Sequence, residues 1–177
     1  MNDAPQYVLL SPRGDGSRCL DLGHGLRSHM FAALYASGVD VFAPHDPALD
    51  GRTDPRPSLG GAPGRLQARG PLRPIPSGFV TVAVSRGPEG WRGRVTLLDG
   101  WQLEPIVEVE RSGDAGEIMA LFEQAVRAIL AVSEHELPLT WREIFGDNDP
   151  DDAVVRLLED GADHQQRLGM AVPAALN

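Results

Sequence analysis

The sequence predicts an α+β fold: an antiparallel β-meander of three or more strands packed against one long amphipathic helix. Three observations predict it. Apolar residues recur at period two in three runs between Phe79 and Glu110, separated by turn chemistry. A run with a broad apolar face follows an acidic cap at Asp114. Between these elements and an N-terminal strand–helix segment lies a Pro/Gly/Arg-rich stretch, Pro44 to Ser77, in which neither period is present. A length of 177 residues fits one α+β domain, with residues 44–77 as an extended arm and residues 138–177 as an acidic helical segment.

In chain order, Gln6 to Leu10 reads as a short strand ended by the turn Ser11-Pro12-Arg13-Gly14-Asp15-Gly16. Arg18 to Leu22 reads as a second strand, completing a hairpin. Leu26, Met30, Ala33 and Leu34, with Phe31 and Tyr35 beside them, then fall at helical spacing, predicting a helix from Gly25 to Ser37 capped by Gly38. Val39 to Ala43 is a further strand.

The stretch Pro44–Ser77 holds eight prolines and five glycines in 34 residues. Proline removes amide donors and glycine raises the entropy cost of ordering, so an irregular arm is expected. The pattern then sharpens. Val80, Val82 and Val84 share one strand face, and Trp91 to Leu98 forms the next strand. Asp99-Gly100 is the two-residue signal of a type I′ hairpin turn. Trp101 to Glu110 follows, with Val107 and Val109 inward and Glu108 and Glu110 outward. Pro105 within it marks an edge or bulged strand.

Asp114 with Glu117 three residues on is a capping box for a helix from Glu117 to Ser133. Its apolar face is Ile118, Leu121, Phe122, Ala125, Val126 and Ile129, and Glu123–Arg127 is an i,i+4 pair on the wet side. Thr140 to Glu143 repeats the capping-box spacing ahead of a single turn ended by Gly146. Asp149-Pro150-Asp151-Asp152 is an N-cap, a proline at the first helical position and two acids against the helix dipole. That helix is expected over Asp151–Asp160, with Gly161 as a stop or kink.

The formal charge is −9, and all sixteen cationic side chains are arginine. A GC-rich coding bias and selection against lysine both produce that composition. Residues 101–177 alone sum to −11, whereas the stretch 44–77 sums to +2. An acidic chain lacks the clustered cations that duplex DNA binding requires. Cys19 is the only cysteine, and no basic leader or long apolar run is present. A reducing, cytoplasmic setting without membrane contact is therefore expected.

Candidate chemistry is sparse. Asp147, Asp149 and Asp151 have the opening spacing of an EF-hand loop. Asp152 stands where that loop needs glycine and Leu158 where it needs glutamate, which leaves an acidic helix N-terminus as the better reading. His24 and His29 are five apart and do not share a helix face as metal ligands would, and His45 lies in the irregular stretch. His135 and His164 are isolated. Cys19 has no orienting partner in the pattern, and Arg13-Gly14-Asp15 reads as a turn. No phosphate loop, nucleophile elbow or zinc-protease motif occurs, and no catalytic residue, metal or cofactor is expected.

The residues with a binding pattern are Arg52, Arg56, Arg65, Arg69 and Arg73, the last three at four-residue spacing. Guanidinium groups so placed suit an acidic protein surface; without aromatic residues between them they offer bases no stacking platform. Gly87-Pro88-Glu89-Gly90-Trp91, two strands, and then Glu117-Ile118-Met119-Ala120 opening a helix resemble the first half of a ribonuclease H-type domain. The resemblance covers roughly fifty-five residues. It implies Glu117 as a metal-binding position, but the strand Gly78–Val84 lacks the aspartate that would complete it, so it implies at most a degenerate, inactive relative.

The functional expectation is a non-enzymatic protein-binding or assembly subunit, an adaptor or structural component of a larger bacterial or phage-type complex, with other proteins or further copies of itself as partners. It would use the arm and exposed edge strands to hold protein partners. Two alternatives stay open: a small acidic regulatory or immunity-type protein masking a basic partner, and a metal-dependent hydrolase using Glu117 with Asp147–Asp152.

Overall fold

A computed structural model describes residues 5–43, 75–136 and 149–175, the last eight of them as backbone. The fold is α+β: among the described residues a six-stranded, mostly antiparallel sheet with three helices. In chain order these are β1 (Gln6–Leu9), β2 (Arg13–Gly14), α1 (Ser17–Ala36), β3 (Asp40–Phe42), β4 (Gly78–Gly87), β5 (Gly90–Asp99), β6 (Pro105–Gly113), α2 (Ala115–Val132) and α3 (Pro150–Ala175). The sheet order is β3-β1-β4-β5-β6, with β2 on β4. Among the described residues no helix is long and apolar enough to cross a membrane.

The three-stranded meander forms as its sequence indicates, although its second connection is longer than predicted. β4, β5 and β6 are antiparallel, joined first by a tight turn in which Gly87 pairs with Gly90. Val80, Val82 and Val84, with Val95 and Leu97, are buried in the core. α2 packs on β5 and β6. Gly93 is where it comes closest: a Cβ there would lie 2.4 Å from Leu121 Cδ2. The Asp114 carboxylate accepts from the amides of Gly116 (2.9 Å) and Glu117 (3.3 Å). Glu117 itself turns to Arg111, at 3.5 Å. Glu123 and Arg127 pair at 2.9 Å.

The N-terminal segment departs from the predicted hairpin. Arg18–Leu22 is the first part of α1, and β1 pairs in parallel with both β3 and β4. Cys19 and Leu22 extend the apolar series of Leu26, Met30 and Leu34 backwards by two turns, so one buried face runs the length of the helix. Gly23 and Gly25 resemble a break in the sequence, but they are points of close packing. A Cβ on Gly23 would lie 2.8 Å from Pro12 Cβ, and one on Gly25 2.0 Å from the Leu157 carbonyl oxygen. Arg13–Gly14, read as part of a turn, adds a short parallel strand to β4. α1 ends as expected at Gly38 (φ 93), where the amides of Gly38 and Val39 bond back to Tyr35 and Leu34.

β1 is buried along its whole length. Gln6 Nε2 donates to Asp40 Oδ2 on β3 at 2.7 Å, and the Gln6 amide donates to Ser77 Oγ at 3.0 Å. Tyr7 reaches α2, with its hydroxyl 3.0 Å from Ser133 Oγ. The buried Arg27 of α1 donates from Nε and Nη2 to the Leu9 carbonyl at 3.0 and 2.9 Å. Burial lowers its pKa to about 10, so it remains a cation at neutral pH.

α3 starts at Pro150 as predicted, with Asp149 Oδ1 accepting from Asp151 N at 2.9 Å. It does not stop at Gly161. The helix continues to Ala175, because Gly161 is where it crosses α1. A Cβ there would sit 1.7 Å from the Asp21 carbonyl oxygen. Polar contacts flank the crossing: His29 Nε2–Asp160 Oδ2 at 2.9 Å and Gln165 Nε2–Asp21 Oδ1 at 2.6 Å. Residues 44–74 and 137–148, and with them most of the Pro/Gly/Arg stretch and the turn at Thr140–Gly146, lie outside the described residues.

Two outcomes follow from the crossing. Alanine normally stabilises a helix over glycine by about 1 kcal/mol, but Gly161→Ala should instead destabilise this protein by about 1–3 kcal/mol in denaturant melts, through overpacking. The second outcome concerns His24, on α1 and close to the His164 ring (5.2 Å between centroids). Its Nδ1 is buried without a hydrogen-bond partner, and burial, with the nearby Arg27 cation, pushes its pKa down from 6.5 to about 4. The unfolded chain therefore binds the extra proton first as pH falls. Stability should hold above pH 6.5 and decline between about 6.5 and about 4. After solvent screening the decline is on the order of 1–2 kcal/mol, and His24→Gln should flatten it in urea titrations.

Candidate protein-interaction surface

Among the described residues the two most exposed large apolar side chains, Trp101 and Leu103, sit at one end of the sheet, on the connection from β5 to β6. Trp101 is 75% exposed, Leu103 58% and Ile106 45%, and Ile75, just ahead of β4, is 49% exposed. A scattered exposed leucine needs no explanation, but a group containing tryptophan at a rigid loop is a candidate interaction surface.

The loop is held by Asp99. Its Oδ1 accepts from the amides of Trp101 at 2.8 Å and Gln102 at 2.7 Å. Those two bonds, Gln102 first, hold the Asp99 carboxyl below the usual carboxylate range. The Asp99 backbone closes the loop from both sides, its amide donating to Glu104 O at 2.8 Å and its carbonyl accepting from Leu103 N at 3.0 Å. Gly100 N donates to Ser77 O at 3.1 Å, and a Cβ on Gly100 would sit 1.8 Å from Pro76 O. The segment carrying Ile75 is thereby fixed beside the loop that carries Trp101.

The predicted two-residue turn at Asp99-Gly100 is thus a longer connection, residues 100–104, and β6 begins at Pro105 instead of Trp101. Two local causes suffice. Asp99 caps the amides two and three residues ahead, which curls the chain as at a helix start. Pro105 has no amide hydrogen for the ladder, and the β5–β6 register shifts beside it, between Leu97 and Leu98. Leu103 takes a positive φ of 59°. A left-handed leucine costs on the order of 1–3 kcal/mol, and such strain concentrates at functional positions. Trp101-x-Leu103 imitates the alternation of a strand, which hid the loop in the sequence. Pro105, placed to start a strand, was the signal that could have revealed it.

β6 is the outer strand on this side of the sheet, as Pro105 predicted. Its Val107 and Val109 pack towards the core, and Glu108 is exposed on the opposite face. Glu110 bridges β5: Oε1 accepts from Arg92 Nε at 2.9 Å, and Oε2 accepts from Arg94 Nε at 2.7 Å and from Arg94 Nη2. These bonds, Arg94 foremost, hold the Glu110 carboxyl below its usual range. With Arg13, Gly14, Asp15 and Ser85 the three side chains line a shallow cleft of about 230 Å³.

Among the described residues the other sequence candidates do not converge. Arg52, Arg56, Arg65, Arg69 and Arg73 lie outside the described residues, as do His45 and Asp147. Cys19 is a buried core residue. His24 and His29 face α3, and Asp149 caps it. Among the described residues no three His, Cys, Asp or Glu side chains come together as a metal site. Glu117 lies beside Arg111, and β4 brings no carboxylate to it. The strand alongside β4 is β1 from the N-terminal end, Gln-Tyr-Val-Leu, also without a carboxylate. Compared with known proteins, the chain matches no protein-family model and no curated sequence.

Asp99→Ala should leave the protein folded but release the loop. Amide exchange at Trp101 and Gln102 should accelerate in an NMR hydrogen-exchange series, with the β4 and β5 amides unchanged; protection retained at both residues would show that Asp99 does not hold the loop.

Proposed function

We propose that this chain is a non-enzymatic protein-binding subunit, an adaptor or structural component of a larger assembly of bacterial or phage type. The observation that carries the proposal is the braced tip at the β5–β6 connection, where Trp101 and Leu103 project on a loop tied back at both ends. A loop ordered before binding loses little conformational entropy when it docks, and exposed tryptophan is among the commonest anchors of protein interfaces. The second support is the open outer edge of β6, continuous with that tip. The arginines of residues 52–73 remain part of the proposal as a separate contact with acidic surface. The acidic regulatory reading shares the same surface, since Glu104 and Glu108 beside the tip favour a basic partner.

The test is a paired substitution. Trp101→Ser with Leu103→Ser should leave the melting temperature unchanged, because both side chains are exposed. It should weaken the native partner, recovered by affinity capture and then measured as a purified pair, by at least roughly thirtyfold, as loss of a hot spot of about 2 kcal/mol requires. Equal affinity of the substituted and unsubstituted chains would sink the proposal.

A further inference from the structure

The sheet has a second face, turned away from the helices, and it carries an apolar row. Tyr7 and Leu9 of β1 and Val41 of β3 enter the core beneath the helices. The alternate residues point the other way. Val8 pairs with Phe42 on one side and with Phe79 on the other, and Phe79 pairs with Leu98. Residues in register share a face, so Phe42, Val8, Phe79 and Leu98 form one row across four strands. Val8 is 5% exposed and Phe42 6%, yet neither belongs to the core that the helices cover. The three helices pack on one another and on the core side, so among the described residues no helix lies over this row. Farther along the same face, Arg92, Arg94 and Glu108 are exposed.

The strand order says what crosses there. From β1 the chain passes through α1 to β3, stepping to one side of β1; from β3 it returns past β1 to β4 on the other side. Both β3 and β4 are parallel to β1, so both connections are crossovers. Crossovers between parallel strands of one sheet are right-handed in about 98% of cases. Two right-handed crossovers that step in opposite directions lie on opposite faces. α1 takes the core face, which leaves the second face to the connection from β3 to β4. That connection leaves beyond Phe42, at the carboxyl end of β1, and returns at Ser77, bonded to Gln6 at its amino end. A crossover needs about a dozen residues or more, and residues 43–77 supply them. The other connection outside the described residues, 137–148, joins α2 to α3, and both its ends lie in the helical layer.

We infer that the chain between Ala43 and Ile75 crosses the second face of the sheet and covers the row of Phe42, Val8, Phe79 and Leu98. Leu49, Leu59, Leu66 and Leu72 are the large aliphatic side chains it can set against that row. Its composition suits the task, because each proline brings no amide hydrogen that burial would leave unpaired. The Pro/Gly/Arg-rich stretch is then a structural crossover tied to the sheet at both ends, with a surface of this chain as its seat. The inference goes beyond the protein-binding reading, and the Trp101 tip does not enter it.

Methyl-labelled leucine and valine in the full, unaltered chain test it. Val8 methyls should show nuclear Overhauser effects to at least one of Leu49, Leu59, Leu66 and Leu72. Effects confined to the described strands, or running to Leu137 or Leu139, overturn the inference. Effects seen only between differently labelled molecules give the face to a second copy and overturn it too. In a second measurement, residues 45–74 are replaced by a Gly/Ser linker of equal length. Val8 should then lose its protection from a soluble paramagnetic agent, while Val80 and Val82 on the core side keep theirs; Val8 still protected counts against the cover. Should that chain fail to fold, the Overhauser effects in the unaltered chain decide. None of these readings involves Trp101 or Leu103, so failure here leaves the protein-binding reading standing.

Discussion

The helical layer depends on one backbone contact. Where α1 and α3 cross, Gly25 and Gly161 leave each helix without a Cβ, and each main chain occupies the space that the other's side chain would fill. Because the helices meet at main-chain distance, Asp21, His29, Asp160 and Gln165 can pair directly across the seam. The same proximity encloses His24 and fixes α1 on the sheet, where Arg27 can reach the Leu9 carbonyl at the end of β1. A larger residue at either glycine would push α3 outward and open all of these contacts together.

How much of this was readable from the sequence depended on whether each residue's role was local. The meander, its inward valines, the Asp114 and Asp149 caps, the Gly38 stop and the Glu123–Arg127 pair are set within a few residues, and each stands in the structure. The failures share a cause. Gly161 reads as a stop or kink, and Gly25 only opens the predicted helix with Gly23 left outside it, because glycine is most often a breaker in local terms. Here they answer to residues far away in the chain, to Pro12, Leu157 and Asp21. β1 was paired with its nearest apolar neighbour, whereas its ladders run to β3 and β4. Parallel pairing leaves no turn signature, since its connection is a crossover. The interaction surface was least legible. Trp101 and Leu103 keep the spacing of a buried strand, and only the capping by Asp99 turns them outward.

The sheet therefore has two unlike borders. Near the centre, β1 is closed in by parallel neighbours and by polar contacts satisfied within the fold. At the far side, β6 ends in glutamates and a braced hydrophobic tip. Glu110 there is held by Arg92 and Arg94 of the neighbouring strand, so the charges on that face are matched within the fold.

The central position of β1 also constrains the order in which the molecule can assemble. Gln6 bonds a residue 34 positions away in Asp40 and another 71 away in Ser77, and Tyr7 meets Ser133 across 126 positions. The meander and α2, by contrast, are joined by short connections. Local contacts form early and long closures late, so the β4–β5–β6–α2 unit is the natural nucleus, and β1 is among the last strands to be seated. Gln6 to Leu9 gain their second ladder only once β4, beyond a crossover, is in place. Such non-local closure slows folding relative to a fold built of local contacts.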